Sequence, residues 1–115
     1  MALTEFIKAQ VVKKLDEYCD QIPEHVRCQL KYSYSIRGND VTMFEERLMD
    51  ADKWSKMPVA KLKYDELKNS WSLWWVDSKD RWYDYYKEIK RSVNPGTLDA
   101  IVEEVNKDPK CIFFS

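Results

Sequence analysis

Apolar residues recur at helical spacing in two stretches of this chain, one near each end, and between them the period shortens to two. Ile7, Val11, Leu15 and Tyr18 follow one another at i+4 or i+3, with Phe6, Val12 and Cys19 widening the stripe. That spacing puts them on one face and predicts a helix over residues 4–19, with Lys8, Lys13 and Glu17 on the solvated side. Thr4 is a suitable N-cap, Glu5 suits the positive end of the helix dipole, and Pro23 prevents continuation. Near the other end, Leu98, Ile101, Val102 and Val105 predict a short amphipathic helix capped by Thr97. Lys107-Asp108-Pro109 stops it, because the residue before proline avoids helical geometry.

Between the helices, Leu30, Tyr32, Tyr34 and Ile36 alternate with Lys31, Ser33 and Ser35, which predicts a strand in a hairpin over residues 28–47. Gly38-Asn39 tolerates positive φ and makes a two-residue turn. The register follows from that turn: Arg37 faces Asp40, Ile36 Val41, Tyr34 Met43, Tyr32 Glu45 and Leu30 Arg47, with Lys31 opposite Glu46 and Ser33 opposite Phe44. Asp50, Asp52, Lys53, Ser55 and Pro58 read as a loop over 48–58, anchored by Trp54. Residues 59–65 then form a third strand.

Four of the five tryptophans and three of the seven tyrosines lie between Trp71 and Tyr86, as Trp71-Ser72-Leu73-Trp74-Trp75-Val76 and Arg81-Trp82-Tyr83-Asp84-Tyr85-Tyr86. Aromatic and β-branched residues suit a pleated, half-buried surface, so these are two more strands. With turns at 66–69 and 77–80, Tyr64 faces Trp71, Leu62 Leu73, Ala60 Trp75, Trp75 Trp82 and Leu73 Asp84. One face then carries Ala60, Leu62, Tyr64, Trp71, Leu73, Trp75 and Trp82, and the other Lys61, Lys63, Trp74, Tyr83 and Tyr85. Residues 87–96 read as a polar connection, and Cys111-Ile112-Phe113-Phe114 is apolar enough to dock as a short strand or plug. The expected fold is α+β: an N-terminal helix, an antiparallel sheet of about five strands, a C-terminal helix and a docked tail. All of it forms a single domain over 1–115, a length that can bury one core.

Composition narrows the function more than it specifies one. No run approaches the roughly 18 apolar residues of a membrane helix, and the N-terminus lacks an apolar signal region, so a cytoplasmic protein is expected. Cys19, Cys28 and Cys111 are odd in number and widely spaced, which argues against a disulfide framework or a zinc site and makes each a small buried hydrophobe. With one histidine, His25, two glycines and no nucleophile elbow, no catalytic motif is present; neither an enzyme nor a cofactor is expected. The net charge of −1 conceals an asymmetry: −3 over residues 1–52, +4 over 53–91 and −2 over 92–115. The aromatic window thus sits in the basic third of the chain.

Two candidate surfaces follow. Lys61 and Lys63 interleaved with Trp74, Tyr83 and Tyr85 make a sheet face that could engage a partner chain, including a second copy, as in a homodimer. The same face could instead hold single-stranded nucleic acid weakly by stacking and charge. The register also puts Glu45, Arg47 and Asp84 on the apolar side with Arg27 entering nearby, so Arg27 or Arg47 should pair with Glu45 or Asp84. Rimmed by Tyr32 and Trp54, such a pocket could recognise an anionic or amide group.

The ordered set Pro23-x-His25-Val26-Arg27, Gly38-Asn39-x-Val41-Thr42-x-Phe44-Glu45, Arg47, Pro58-Val59-Ala60, Trp71-x-Leu73-Trp74-Trp75, Arg81-Trp82-x-x-Tyr85 and Asp108-Pro109 with Phe113 resembles the small bacterial family known only as domain of unknown function 3024. The resemblance covers nearly everything after the first helix. Where that family follows the matching arginine with proline and tryptophan, Arg47 here precedes Leu48-Met49-Asp50. It implies bacterial origin and a compact fold, and brings no activity.

Overall fold

The computed structural model describes residues 3–50, 52–88, 94 and 96–108. Helix α1 (Glu5–Cys19) leads through a 3-10 turn (Glu24–Val26) into five strands, β1 (Leu30–Arg37), β2 (Asp40–Asp50), β3 (Lys53–Asp65), β4 (Ser70–Val76) and β5 (Trp82–Asp84). Helices α2 (Tyr85–Glu88) and α3 (Leu98–Lys107) follow. The strands form one antiparallel sheet in the order β1-β2-β3-β4-β5, so the fold is α+β as expected.

Both longer helices start as their sequences dictate. Thr4 accepts from the Ile7 N–H at 3.2 Å, and Thr97 from the Ala100 N–H at 3.4 Å. Val11, Leu15 and Tyr18 of α1 and Ile101, Val102 and Val105 of α3 are buried with Val41, Met43, Ala60, Leu62, Trp71 and Leu73 of the sheet. The helices therefore cover one face of the sheet, here termed inward. Tyr18 stacks on Tyr32 at 5.0 Å, and the Tyr34 hydroxyl donates to Asp16 at 2.7 Å, which fixes α1 over β1. The outer end of the stripe fails: Phe6 and Val12 are exposed, because the sheet lies under the centre of the helix.

The β1–β2 register is the expected one throughout, from Leu30 opposite Arg47 to Arg37 opposite Asp40. The expected loop over 48–58 is not a loop. β2 runs on to Asp50 and β3 begins at Lys53, with Leu48 opposite Trp54 and Glu46 opposite Lys56. Pro58 is accommodated by a bulge: Met43 faces Ala60 and Phe44 faces Pro58, leaving Val59 as the extra residue. β4 pairs only with Lys61–Asp65, so the hairpin beyond the bulge is an arm whose β3 edge has no β4 neighbour. Lys53, Lys56 and Pro58 guard that edge against strand addition.

The other departure is at β5. The β3–β4 register is as expected, with Tyr64 opposite Trp71 and Leu62 opposite Leu73. Between β4 and β5, however, Trp75 pairs with Tyr83, Trp74 with Asp84 and Val76 with Trp82. The turn is one residue longer than 77–80. Asp77 N donates to Arg81 O at 2.9 Å, while the Asp77 carboxylate accepts from the backbone N–H groups of Lys79 at 2.8 Å and Arg81 at 2.9 Å. Asp80 adopts a left-handed conformation, φ 62°. One extra residue exchanges the two faces of a strand. Trp82 and Asp84 therefore point outward, and Tyr83 and Tyr85 inward.

After β5 the chain enters α2 rather than a wholly irregular connection. Gly96 then meets the start of β4, its carbonyl accepting from Trp71 N at 2.8 Å. Its φ is 75° and an added Cβ would lie 3.1 Å from that of Ser70, so this approach requires glycine. Asp108 ends α3 in the left-handed region, φ 43°. The expected docked tail lies outside the described residues.

Candidate functional site on the outward sheet face

Each sequence-predicted site residue has a definite place. Lys61, Lys63 and Trp74 lie on the outward face, with Lys61 opposite Trp74 and Lys63 opposite Ser72. Tyr83 and Tyr85 do not join them. Tyr83 stacks on Trp75 at 4.8 Å and donates its hydroxyl to Asp77 at 3.0 Å. Tyr85 is fully buried and donates to Glu104 at 2.7 Å; burial foremost, with that carboxylate, pushes its phenol well above the ordinary value. It is a core residue that ties α2 to α3.

The proposed arginine pocket does not assemble. Arg47 does pair with Glu45, but its side chain is 62% exposed. Arg27 instead turns back to the end of α1, donating to Ile22 O at 2.8 Å and Asp20 O at 3.2 Å. It caps carbonyls there, with the Asp20 carboxylate 3.6 Å away. Asp84 faces outward, and Tyr32 and Trp54 lie on opposite faces, so they rim no common space. Cys28 is exposed, against expectation, and Cys19 is half-buried. Among the described residues no group of three His, Cys, Asp or Glu could hold a metal ion. No helix of the described chain is long and apolar enough to cross a membrane.

What the fold does assemble is a ladder of lysines over rings. On the outward face Lys63 Nζ lies 4.3 Å from the Trp74 ring centroid and Lys61 Nζ 4.5 Å from Trp82, two strands away. Lys56 Nζ lies 4.4 Å from Phe44, and Lys31 Nζ reaches from β1 to within 4.6 Å of Trp54 on β3. Significant cation–π pairs occur about once per 70–80 residues. The four found among the described residues all lie on one face.

Trp82, Trp54, Lys31, Lys56 and Phe44 are the members that the sequence reading missed. The Trp82 error came from the turn length; the others were hidden because 48–58 was read as a loop. The strands place five cations (Lys31, Arg37, Lys56, Lys61, Lys63) and four carboxylates (Asp40, Glu46, Asp65, Asp84) on this face. Trp74 is fixed by its indole N–H donating to Ser72 Oγ at 2.9 Å, and Ser72 in turn donates to Lys63 O at 3.4 Å. None of these aromatic residues is buried.

Concavities elsewhere are weaker candidates. One of about 560 Å³ opens between α1 and the start of α3, lined by Ile7, Lys14, Trp71, Thr97 and Asp99. Lys14 lies 3.8 Å from Asp99, so its charge is largely answered within the wall.

The fold and this face define an α+β domain with helices on one side of a meander and a lysine-capped aromatic surface on the other. The chain belongs to the family described as Domain of unknown function (DUF3024), which matches residues 3–115. No curated protein and no solved structure matches it.

Proposed function

We propose that this protein is a non-enzymatic binding module, and that the outward face of its sheet takes an anionic chain in extended form. The observation that carries this is the set of four ammonium groups 4.3–4.6 Å from the centroids of unburied rings on one face. A domain that already buries its core against two helices gains only about 0.5–1 kcal/mol from each such exposed pair. Stability alone therefore gives little reason to leave Trp54 exposed and Trp74, Trp82 and Phe44 only half-buried. A negative partner would meet the ring-capping lysines and cover the rings.

A second copy fits the same face poorly. A second copy would bring the same slight excess of cations to the contact, so charge favours an anionic partner over it. The test is titration of the whole protein with flexible polyanions (polyglutamate and oligothymidine) at low salt, following tryptophan emission. Binding should fall at least tenfold in Lys61→Glu/Lys63→Glu. If neither polymer binds, or the double variant binds as well as the wild type, the outward face is not the site.

A further inference from the structure

Resting on that reading, we infer that the anionic chain is single-stranded nucleic acid, and that the lysines are exchangeable covers that bases displace from the rings. Each ammonium now occupies the position above a ring where a base would stack. An exposed ammonium on a ring is a weak interaction, and stacking of a base on an indole is a stronger one, so the exchange favours the base. The displaced lysine keeps its reach: Lys61 and Lys31 already span two strands to find their rings. Swung aside, such an ammonium can meet the phosphate next to the stacked base. An acidic polypeptide offers the charge without a flat π-face to replace the one it uncovers.

The layout suits a strand more than a small ligand. Trp54, Lys56, Pro58, Lys61 and Lys63 follow one another along the outward side of β3. At roughly 3.3 Å per residue this is a track of about 30 Å, with Trp54 at one end, Phe44 opposite Pro58 midway, and Trp74 and Trp82 towards the other. That length is in the range of sheet-based single-strand sites of ~4–16 nucleotides. Duplex DNA hides its base faces and gains only the charge term. The carboxylates of Asp40, Glu46, Asp65 and Asp84 on the same face limit affinity, and the lysine–phosphate contacts make it salt-sensitive.

The experiment compares an oligothymidine of about 12 nucleotides, its duplex with oligoadenosine, and polyglutamate of similar charge, using fluorescence anisotropy and tryptophan quenching across a salt series. The single strand should bind best and quench emission, with log K falling against log salt at a slope of about −2 to −3 if three or four lysines contact phosphates. Trp82→Leu should weaken it roughly tenfold while leaving polyglutamate unaffected. Trp54→Leu, on the exposed arm, gives the same readout should Trp82→Leu lower Tm. Lysine-dependent binding of polyglutamate with no preference for the single strand, or no effect of either tryptophan change, overturns the nucleic-acid inference and leaves the outward-face reading standing. Oligothymidine binding that ignores Lys61→Glu/Lys63→Glu, or no binding of any polymer, overturns both.

Discussion

The two faces of this sheet use aromatic residues in opposite ways. Inward, rings are spent on packing: Tyr85 has no exposed surface, Trp71 has 5%, and Tyr18 stacks on Tyr32 beneath α1. Several of their hydroxyls are tied to carboxylates, Tyr85 to Glu104, Tyr34 to Asp16 and Tyr83 to Asp77. Outward, the rings of Phe44, Trp54, Trp74 and Trp82 meet lysine ammoniums, and none of the four is buried. The difference shows that aromatic content does not by itself distinguish core from binding surface. What a ring touches does.

The sharpest way to break this contrast is to truncate one ring on each face. Tyr85→Ala should cost on the order of 3–5 kcal/mol, as for other buried aromatic truncations, and it leaves Glu104 without its donor. Trp82→Ala should cost less than about 1 kcal/mol. Urea midpoints measure both, and equal losses would mean that the outward face is covered in solution.

Alkali should act on the inward face next. Burial foremost, with the neighbouring Asp16 and Glu104 carboxylates, pushes the phenols of Tyr34 and Tyr86 up to about 12, and those of Tyr18 and Tyr85 rise also. A phenol held above its unfolded value of 10.0 favours the fold while neutral. That stabilisation is complete below pH 10 and is lost as pH rises from 10 towards 12. Tyrosinate absorbance should therefore lag behind that of free tyrosine and then rise with unfolding.

Acid should act on the turn that assigns the faces. The Arg81 backbone N–H foremost, then the Lys79 N–H, the Tyr83 hydroxyl and the Arg81 guanidinium hold the Asp77 carboxyl down at about 2, against some desolvation. Its contribution is present above the ordinary 3.8 and is lost as pH falls from there towards 2. Asp77→Asn should be less stable at neutral pH and should lose less on acidification than the wild type, by thermal melts at both pH values. The smallest effect belongs to Lys63→Met, which removes the ammonium over Trp74. Stability should change by less than about 1 kcal/mol while Trp74 emission shifts.

How far the sequence could be read depended on what set each register. Gly38-Asn39 admits one short turn, and the alternation on both sides of it agrees, so every β1–β2 pair was legible. At β4–β5 the sequence offered two solutions, and the four-residue turn was the wrong one. A clue was available: the shorter turn places Asp84 inward beside Leu73, whereas the longer one puts Tyr83 and Tyr85 inside and leaves no carboxylate there. Asp77 was readable as a residue able to gather backbone N–H groups, but its reach to Arg81 is a matter of three-dimensional geometry. The arm was missed because Asp50, Asp52 and Pro58 are turn-forming types, and only the bulge at Val59 makes the proline compatible with a strand. With the arm went half of the candidate site.

The strand order, which repeats the order of the chain, has a kinetic consequence. Every strand in the sheet pairs only with its neighbours in sequence, so each step of zipping closes a loop of a few residues and costs little chain entropy. The distant contacts are those of α1, which meets both β1 and α3 from the far end of the chain. The sheet can thus form hairpin by hairpin, and the meeting of α1 with α3 is the late step that latches it. Substitutions between those helices should then hasten unfolding more than they slow folding, so the lifetime of the folded protein is set at the latch, on the side away from the lysine ladder.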